Sequence, residues 1–397
     1  MNSKVHAFLG KAINPTLNAN PGDVGKIPLP IGKVDPTNLV SSLVELSKSD
    51  WDSYENSWDF TYPPMLRSEY HQHSIRDTYQ MLRCQWQEKT SEMRQLEEDN
   101  NRVFIEAYGL QNELKPEVPL SEITLTCNPH CRYDSGKSTE ELEAMLLADT
   151  MRELISYAVG CMFGRYALDQ AGIILANRGE SIEEYLRRIP EPRFTPDDDN
   201  VIPMLGDDWF SDDIAERFRE FLRVAFGEEQ YEENLKFIET ALNVRGKRDY
   251  SLRDYFLQEF YPDHVKRYKK RPIYWLFSSP KGSFNALIYM HRYRPDTVSI
   301  VLNDYLREFR NKLTSNRDHL EAVSISASAT QGEKTKALKD IEKVKKMITE
   351  LEEYEREVLY PLATKQLEID LDDGVKVNYP KFGAALKRIP GLDSEEE

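Results

Sequence analysis

The sequence predicts a mainly α protein with small β elements, an α+β chain in which long helices carry one short hairpin. Three observations point there. From Ile75 to Ala107 the residues Ile75, Tyr79, Leu82, Trp86, Met93, Leu96, Asn100, Val103 and Ala107, apolar but for Asn100, recur every three, four or seven positions, as on one face of a long helix. Ala337, Ile341, Val344, Ile348 and Leu351 repeat at four- and three-residue steps, with Val358 seven residues further on, a coiled-coil pattern. Finally, Ile273 to Phe277 and Ala286 to Met290 are β-branched and aromatic runs separated by Ser278-Ser-Pro-Lys-Gly282, which are turn residues. This reads as a β-hairpin near 273–290.

Taken in order, residues 1–14 form a short helix with Val5, Phe8 and Leu9 on one side, stopped by Asn14-Pro15. The Pro- and Gly-rich stretch that follows leads to a short extended piece. Residues 1–34 together read as the closing edge of a truncated domain. A helix around Leu39, Leu43 and Leu46 precedes the exposed aromatic stretch Ser49 to Phe60. After Pro63-Pro64 the long helix runs to Gly109; roughly 40 helical residues span about 60 Å, the length of a spacer arm. Residues 35–135 are therefore a spacer-helix region.

Residues 136–294 read as a helical domain carrying the hairpin. Thr139 to Arg165 is helical, and Ser211 is expected to cap a helix with Asp212 and Asp213 in its first turn and Ile214, Phe218, Phe221 and Leu222 buried. Thr297 to Leu313 or beyond is a further helix. With the 337–358 repeat it makes a C-terminal antiparallel helical pair within residues 295–397. Val375 to Tyr379 reads as a short strand, and the acidic tail is expected to be disordered.

The charge is unevenly spread. The 397 residues carry a net charge of −16, yet Arg245 to Arg294 holds twelve fixed positive charges against four negative, which leaves −24 on the rest. That excludes an indiscriminate nucleic-acid coat and suggests a local anion site on a repelling body. Around the hairpin, basic residues alternate with Tyr, Phe and Trp, which fits a groove that neutralises phosphates and stacks bases. The bland alternative is a hairpin with solvated flanks. On the first reading Arg267, Lys269, Lys270, Arg271, Lys281, Arg292 and Arg294 contact phosphates, while Tyr274, Trp275 and Tyr293 stack or pack. Core packing is expected for Trp275, because alternate strand side chains face inward.

Motifs for chemistry are weak. Thr61-Tyr-Pro-Pro64 and Cys127-Asn-Pro-His130 lack the full Asn/Asp-Pro-Pro-aromatic motif with which an adenine methyltransferase holds a flipped base, and no glycine-rich loop for S-adenosylmethionine accompanies them. Lys281-Gly-Ser283 has no glycine five residues before it, as a phosphate-binding loop requires. Cys127, His130 and Cys131 have no second ligand pair, so they read as a structural turn rather than a zinc hook. The Asp197–Asp199, Asp207–Asp208 and Asp212–Asp213 clusters read as capping loops rather than a magnesium site. There is no Gly-x-Ser-x-Gly elbow. Four cysteines do not make a disulfide framework, and no apolar run approaches the roughly 20 residues of a membrane span. With no signal-peptide pattern at Met1-Asn-Ser-Lys4, a cytoplasmic protein is expected.

A resemblance adds to this reading. Asn14-Pro-Thr-Leu-Asn18 with Val24-Gly-Lys-Ile-Pro28 looks like the closing segment of target-recognition domains in bacterial adenine methyltransferases and restriction specificity subunits. Asn101 to Leu114 with Pro116-Glu-Val-Pro119 resembles the segment after the spacer helix in large single-chain adenine methyltransferases of restriction type. Met151 to Tyr166, Lys270 to Tyr293 and Leu371-Asp-Asp-Gly-Val-Lys-Val-Asn-Tyr379 are similar to the C-terminal half of the PglX family, adenine-specific DNA methyltransferases of bacteriophage exclusion (BREX) systems. The resemblance implies S-adenosylmethionine as cofactor of the parent enzyme, with its cofactor loop and catalytic motif N-terminal to this region. It therefore implies no cofactor, catalytic residue or metal in this chain, which alone is expected to be inactive. The implied role is DNA target recognition and assembly in phage defence, with double-stranded DNA and other phage-exclusion proteins as partners and no membrane. A protein-interaction scaffold that docks those subunits without touching DNA is the alternative.

Overall fold

Side-chain caps start the helices where the sequence supplies Ser, Thr or Asp. In the computed structural model, which describes residues 3–16, 21–28, 37–133 and 136–392, the chain divides into two units, residues 1–150 and 151–397. The extended piece expected before residue 35 and the tail beyond residue 392 lie outside the described residues.

In the first unit Ser3 Oγ accepts from His6 N at 3.2 Å and opens the Lys4–Ile13 helix. Ser74 Oγ accepts from Asp77 N at 3.1 Å and opens the long helix Ile75–Tyr108, which Gly109 closes in the left-handed conformation at φ +69°. At 34 residues it spans about 51 Å, less than expected. It is also no bare arm, because Ile75, Tyr79, Leu82, Trp86, Met93 and Ile105 are buried along its length. The Lys4–Ile13 and Thr37–Trp51 helices pack against it. Near its start Arg83 makes two parallel hydrogen bonds to Glu143, at 2.7 and 2.5 Å, tying it to the Thr139–Met162 helix.

The second unit is built on a three-stranded antiparallel sheet in the order β1-β3-β2: β1 Ile202–Pro203, β2 Tyr274–Ser278 and β3 Asn285–Tyr289. Trp275 pairs with Ile288, Leu276 with Leu287, and Ile202 with Leu287 on the other edge. All of β2 and nearly all of β3 is buried, which is why both strands read as continuous apolar runs. Successive residues face opposite ways. Tyr274 stacks on Phe163, at 5.3 Å between ring centroids, while Trp275 meets Tyr379 and Phe382 edge-on and donates its Nε1–H to Pro272 O. Strand β1 carries no alternating pattern of its own and is an edge that the sequence does not announce.

Two local expectations are corrected. Val375–Tyr379 is not a strand: Gly374–Asn378 is helical, with Asn378 Nδ2 donating to Gly374 O at 3.0 Å and Asp370 N donating to Asn378 Oδ1 at 3.2 Å. These side-chain bonds offer the backbone a turn in place of a ladder. The outer edge of β2 is bridged instead by Leu386, opposite Phe277, and Lys387 N donates to Leu276 O at 2.7 Å. Nor does Ser211 cap the next helix. Asp213, fully buried, accepts from Ala215 N at 2.9 Å and opens Ile214–Phe226.

The C-terminal helices form the expected antiparallel pair. The chain enters through Thr297–Ile300 and a wide π turn, Val301–Arg307, into Glu308–Ile325. It returns along Gln331–Tyr354, opened by a reciprocal cap between Thr330 and Glu333. Glu355 receives Arg307 at 2.7 Å and Arg310 at 2.5 Å, and farther out Lys345 faces Glu321 at 3.9 Å.

Candidate nucleic-acid interface

Four segments far apart in sequence meet in the second unit around a cleft of about 1100 Å³. The first is the end of the Tyr261–Arg267 helix. There Lys269 and Lys270 sit consecutively at φ +50° and +62°, and Lys270 N donates to Val265 O at 2.8 Å. Two adjacent non-glycine residues in the left-handed region cost roughly 1–2 kcal/mol each. Strain of this kind persists where the surroundings over-determine it, often at functional surfaces. Lys266, Lys269 and Lys270 all line the cleft.

The second segment is the turn between β2 and β3. Gly282 N donates to Ser279 O at 2.8 Å, and Gly282 takes φ +74°. The turn is fixed from the third segment, the Gln331–Tyr354 helix. The buried carboxylate of Glu350 accepts from Ser279 Oγ at 2.6 Å, Lys281 N at 2.7 Å and Ser283 Oγ at 2.5 Å. Burial alone would raise its pKa, but these donors overcome that and hold it below the usual carboxylate value. Lys281 is thereby brought to the same cleft as Lys343 and Lys346. The fourth segment, anchored by the Lys387–Leu276 backbone bond, contributes Lys387 and Arg388.

Eight cations therefore border the cleft, and Glu350, spent on its three donors, is the one carboxylate among its lining residues. Leu276, Tyr261, Val265, Met347 and Ile389 supply apolar wall between them. A concave surface of one charge sign beside low-dielectric wall focuses the field and concentrates anions.

The nine residues singled out from the sequence separate here. Lys269, Lys270 and Lys281 line the cleft; Arg271 is exposed but outside it, Arg267 is half-buried, and Arg294 is exposed and pairs with Asp296 at 3.3 Å. The remaining three face inward. Arg292 is buried, donating to Asp197 O and Asp198 O at 2.8 Å each, so its charge serves the fold. Tyr274 is fully buried against Phe163 and His264, and Tyr293 is buried with its hydroxyl donating to Leu367 O at 2.8 Å. Neither ring offers a face to a base; both pack, because residues in and beside a strand buried on both faces have no exposed side. Lys266, in the basic run before the hairpin, was passed over, and Lys343, Lys346, Lys387 and Arg388 were missed, since they lie more than 50 positions beyond the hairpin. The three- and four-residue spacing of lysines in 336–346 was the available signal.

The other candidate clusters have structural employment. Asp213 pairs with Arg253 at 2.9 Å. The Tyr305 hydroxyl lies 2.9 Å from Asp199 Oδ2 and 2.7 Å from Asp212 Oδ2. Burial, and then the neighbouring Asp199, push the Asp197 carboxyl well above its usual value. Asn128, buried, caps the Pro129–Arg132 turn and donates to Leu120 O and Ile123 O at 2.7 and 2.8 Å, which leaves its amide nothing for an adenine. Burial pushes the Cys127 thiol up to about 12. Among the described residues no three His, Cys, Asp or Glu side chains gather as a metal needs, and no helix is long and apolar enough to cross a membrane.

No family profile matches the chain. It is 35% identical over 402 residues to the adenine-specific methyltransferase BrxX of Escherichia coli O9:H4 (strain HS), an alignment covering 99% of this chain and 32% of that protein. It is 34% identical over 403 residues to the adenine-specific methyltransferase PglX of Lacticaseibacillus casei (strain Zhang), covering 99% of this chain and 31% of the relative. The chain thus spans about a third of the length of the curated relatives it matches, and along nearly all of its own length it is similar to part of an adenine-specific methyltransferase.

Proposed function

We propose that this chain is the DNA target-recognition and assembly region of an adenine-specific (N6) DNA methyltransferase of a phage-exclusion system, corresponding to a C-terminal portion of such an enzyme. The observation that carries the reading is the cleft, where eight cations from four segments converge around one spent carboxylate. Lysines act on phosphates as point charges, so the cleft grips the backbone of double-stranded DNA and fixes its register. Methyl transfer needs S-adenosylmethionine and a motif that holds the flipped base. The 397 residues carry no glycine-rich loop for the first, and Asn128-Pro129, the Asn-Pro weighed for the second, is consumed as a buried cap. No catalytic step is assigned to this chain, and the chemistry belongs to the rest of the parent enzyme. A gel-shift titration at low salt tests the reading. Lys269→Glu, Lys270→Glu and Lys281→Glu together abolish duplex binding, and undiminished binding by this variant overturns it.

The assembly half rests on the first unit. There a groove of about 950 Å³ is lined in part by Val40, Leu43, Val44, Trp51 and Phe104, with Val44 and Trp51 more than half exposed. Apolar area of that kind marks a protein contact, and the occupant proposed is another subunit of the exclusion system. Co-purification with those subunits that survives nuclease treatment and is lost on Val44→Asp tests it, and retained co-purification by the variant counts against it.

A further inference from the structure

We infer that the phosphate-binding surface does not end at the cleft but continues outward along the Gln331–Tyr354 helix, as a second stretch of duplex backbone contact made by Lys336 and Lys339. The inference rests on the cleft reading above and extends it to a surface that nothing else assigns. Lys336, Lys339, Lys343 and Lys346 recur at three- and four-residue steps. At about 100° per residue they fall within an arc of about 80°. The apolar seam of the helix, Ala337, Ile341, Val344 and Leu351, is buried and lies roughly 130° away around the helix. No Asp or Glu between Lys336 and Lys346 falls in the lysine arc. All four lysines are exposed. Lys345, on another face, has Glu321 at 3.9 Å, but none of the four has an acidic partner among the described residues.

The direction of this face is settled at its inner end, since Lys343, Lys346 and Met347 line the cleft. Lys336 and Lys339 continue the same face away from it. From Lys336 to Lys346 the helix rises about 15 Å, the length over which one strand of B-DNA presents roughly four phosphates. The helix is anchored at one end by its Thr330–Glu333 cap and just past the other by Arg307 and Arg310 on Glu355. Four unpartnered lysines within one arc repel one another, and a body of net charge −16 does not need them for solubility. An extended polyanion leaving the cleft is the ligand that uses them.

The test compares two double variants of the full chain that remove the same charge. Lys336→Gln with Lys339→Gln acts on the stripe, and Lys334→Gln with Lys345→Gln acts on the far side of the same helix. Glutamine keeps helix propensity, and far-UV circular dichroism verifies the fold. Binding to 12- and 24-base-pair duplexes is measured across a salt series. The stripe variant is expected to bind the 24-mer about tenfold less tightly at 0.1 M salt, with a log–log salt slope shallower by about 1.8, two contacts at about 0.9 each. Its affinity for the 12-mer changes far less. Equal behaviour of the two double variants, or an unchanged slope for the stripe variant, overturns the inference while leaving the cleft standing. A wild-type chain that binds neither duplex overturns the cleft reading and the stripe with it.

Discussion

The second unit holds two kinds of cation. Arg165, Arg253 and Arg292 are turned inward: Arg165 donates to the Tyr289 hydroxyl at 2.9 Å, Arg253 pairs with buried Asp213, and Arg292 caps two backbone carbonyls. The lysines of the cleft are turned outward, and Lys266, Lys269, Lys270, Lys281, Lys343 and Lys346 have no acidic partner among the described residues. The division follows chemistry. A planar guanidinium with five donors can be satisfied in a dry interior, whereas a compact, strongly hydrated ammonium keeps its water. A run of positive charge in a sequence is therefore two populations, one that holds the fold and one that is available to a ligand.

The largest expected effect breaks the inward set. Arg292→Ala leaves the Asp197 and Asp198 carbonyls without their donor and the Asp197 carboxyl without its opposing charge. It should destabilise by about 3–5 kcal/mol; a thermal melt then shifts down by roughly 10 °C. Arg271→Ala, exposed and outside the cleft, should move the melt by less than about 2 °C. Comparable shifts for the two would erase the distinction. The outward set answers in binding rather than stability. The Lys269, Lys270 and Lys281 triple reversal should cost more than about a hundredfold in duplex affinity, with its melting temperature close to wild type by calorimetry.

Glu350 sits between the two sets, and its substitutions sharpen the comparison. Glu350→Ala strands the Ser279, Lys281 and Ser283 donors and should cost about 2 kcal/mol in a denaturant titration. Glu350→Gln keeps an acceptor for Ser279 Oγ and Lys281 N and can donate to Ser283 Oγ. It should be near neutral in stability and bind duplex more tightly, since it deletes the one carboxylate of the cleft.

A further prediction is a pH dependence. Asp197 has a folded-state pKa above its unfolded value, mainly through burial and then through Asp199. The native state therefore holds the extra proton between those two values, and stability falls as pH rises through that window. Asp197→Asn keeps an acceptor for Val201 N, bonded at 3.1 Å, and cannot ionise. Its melting temperature should exceed that of wild type at pH 8 and match it near pH 4, and a constant offset at both would argue against an ionisation at this site.

Patterns made by neighbours in sequence were legible without the fold. The long helix, the helical pair and the hairpin follow from periodicity and turn residues, because each is decided by which residues one face must bury. The Gly109 stop and the Thr330–Glu333 start are likewise local chemistry. What depended on contacts across the chain was not legible. Strand β1 is two residues that become a strand only by lying beside β3, and Val375–Tyr379 shows strand-like alternation that its own Asn378 overrides.

The candidate site divides in the same way. The sequence by itself determined that the positive charge is concentrated near the hairpin. Only the tertiary structure decided which of those charges are usable. Arg292, Tyr274 and Tyr293 went into the core because the strands are covered on both faces, and Lys343, Lys346, Lys387 and Arg388 arrived because Glu350 and the Lys387–Leu276 bond draw distant segments to the turn. Burial and convergence are properties of the packed chain, and no local pattern encodes them.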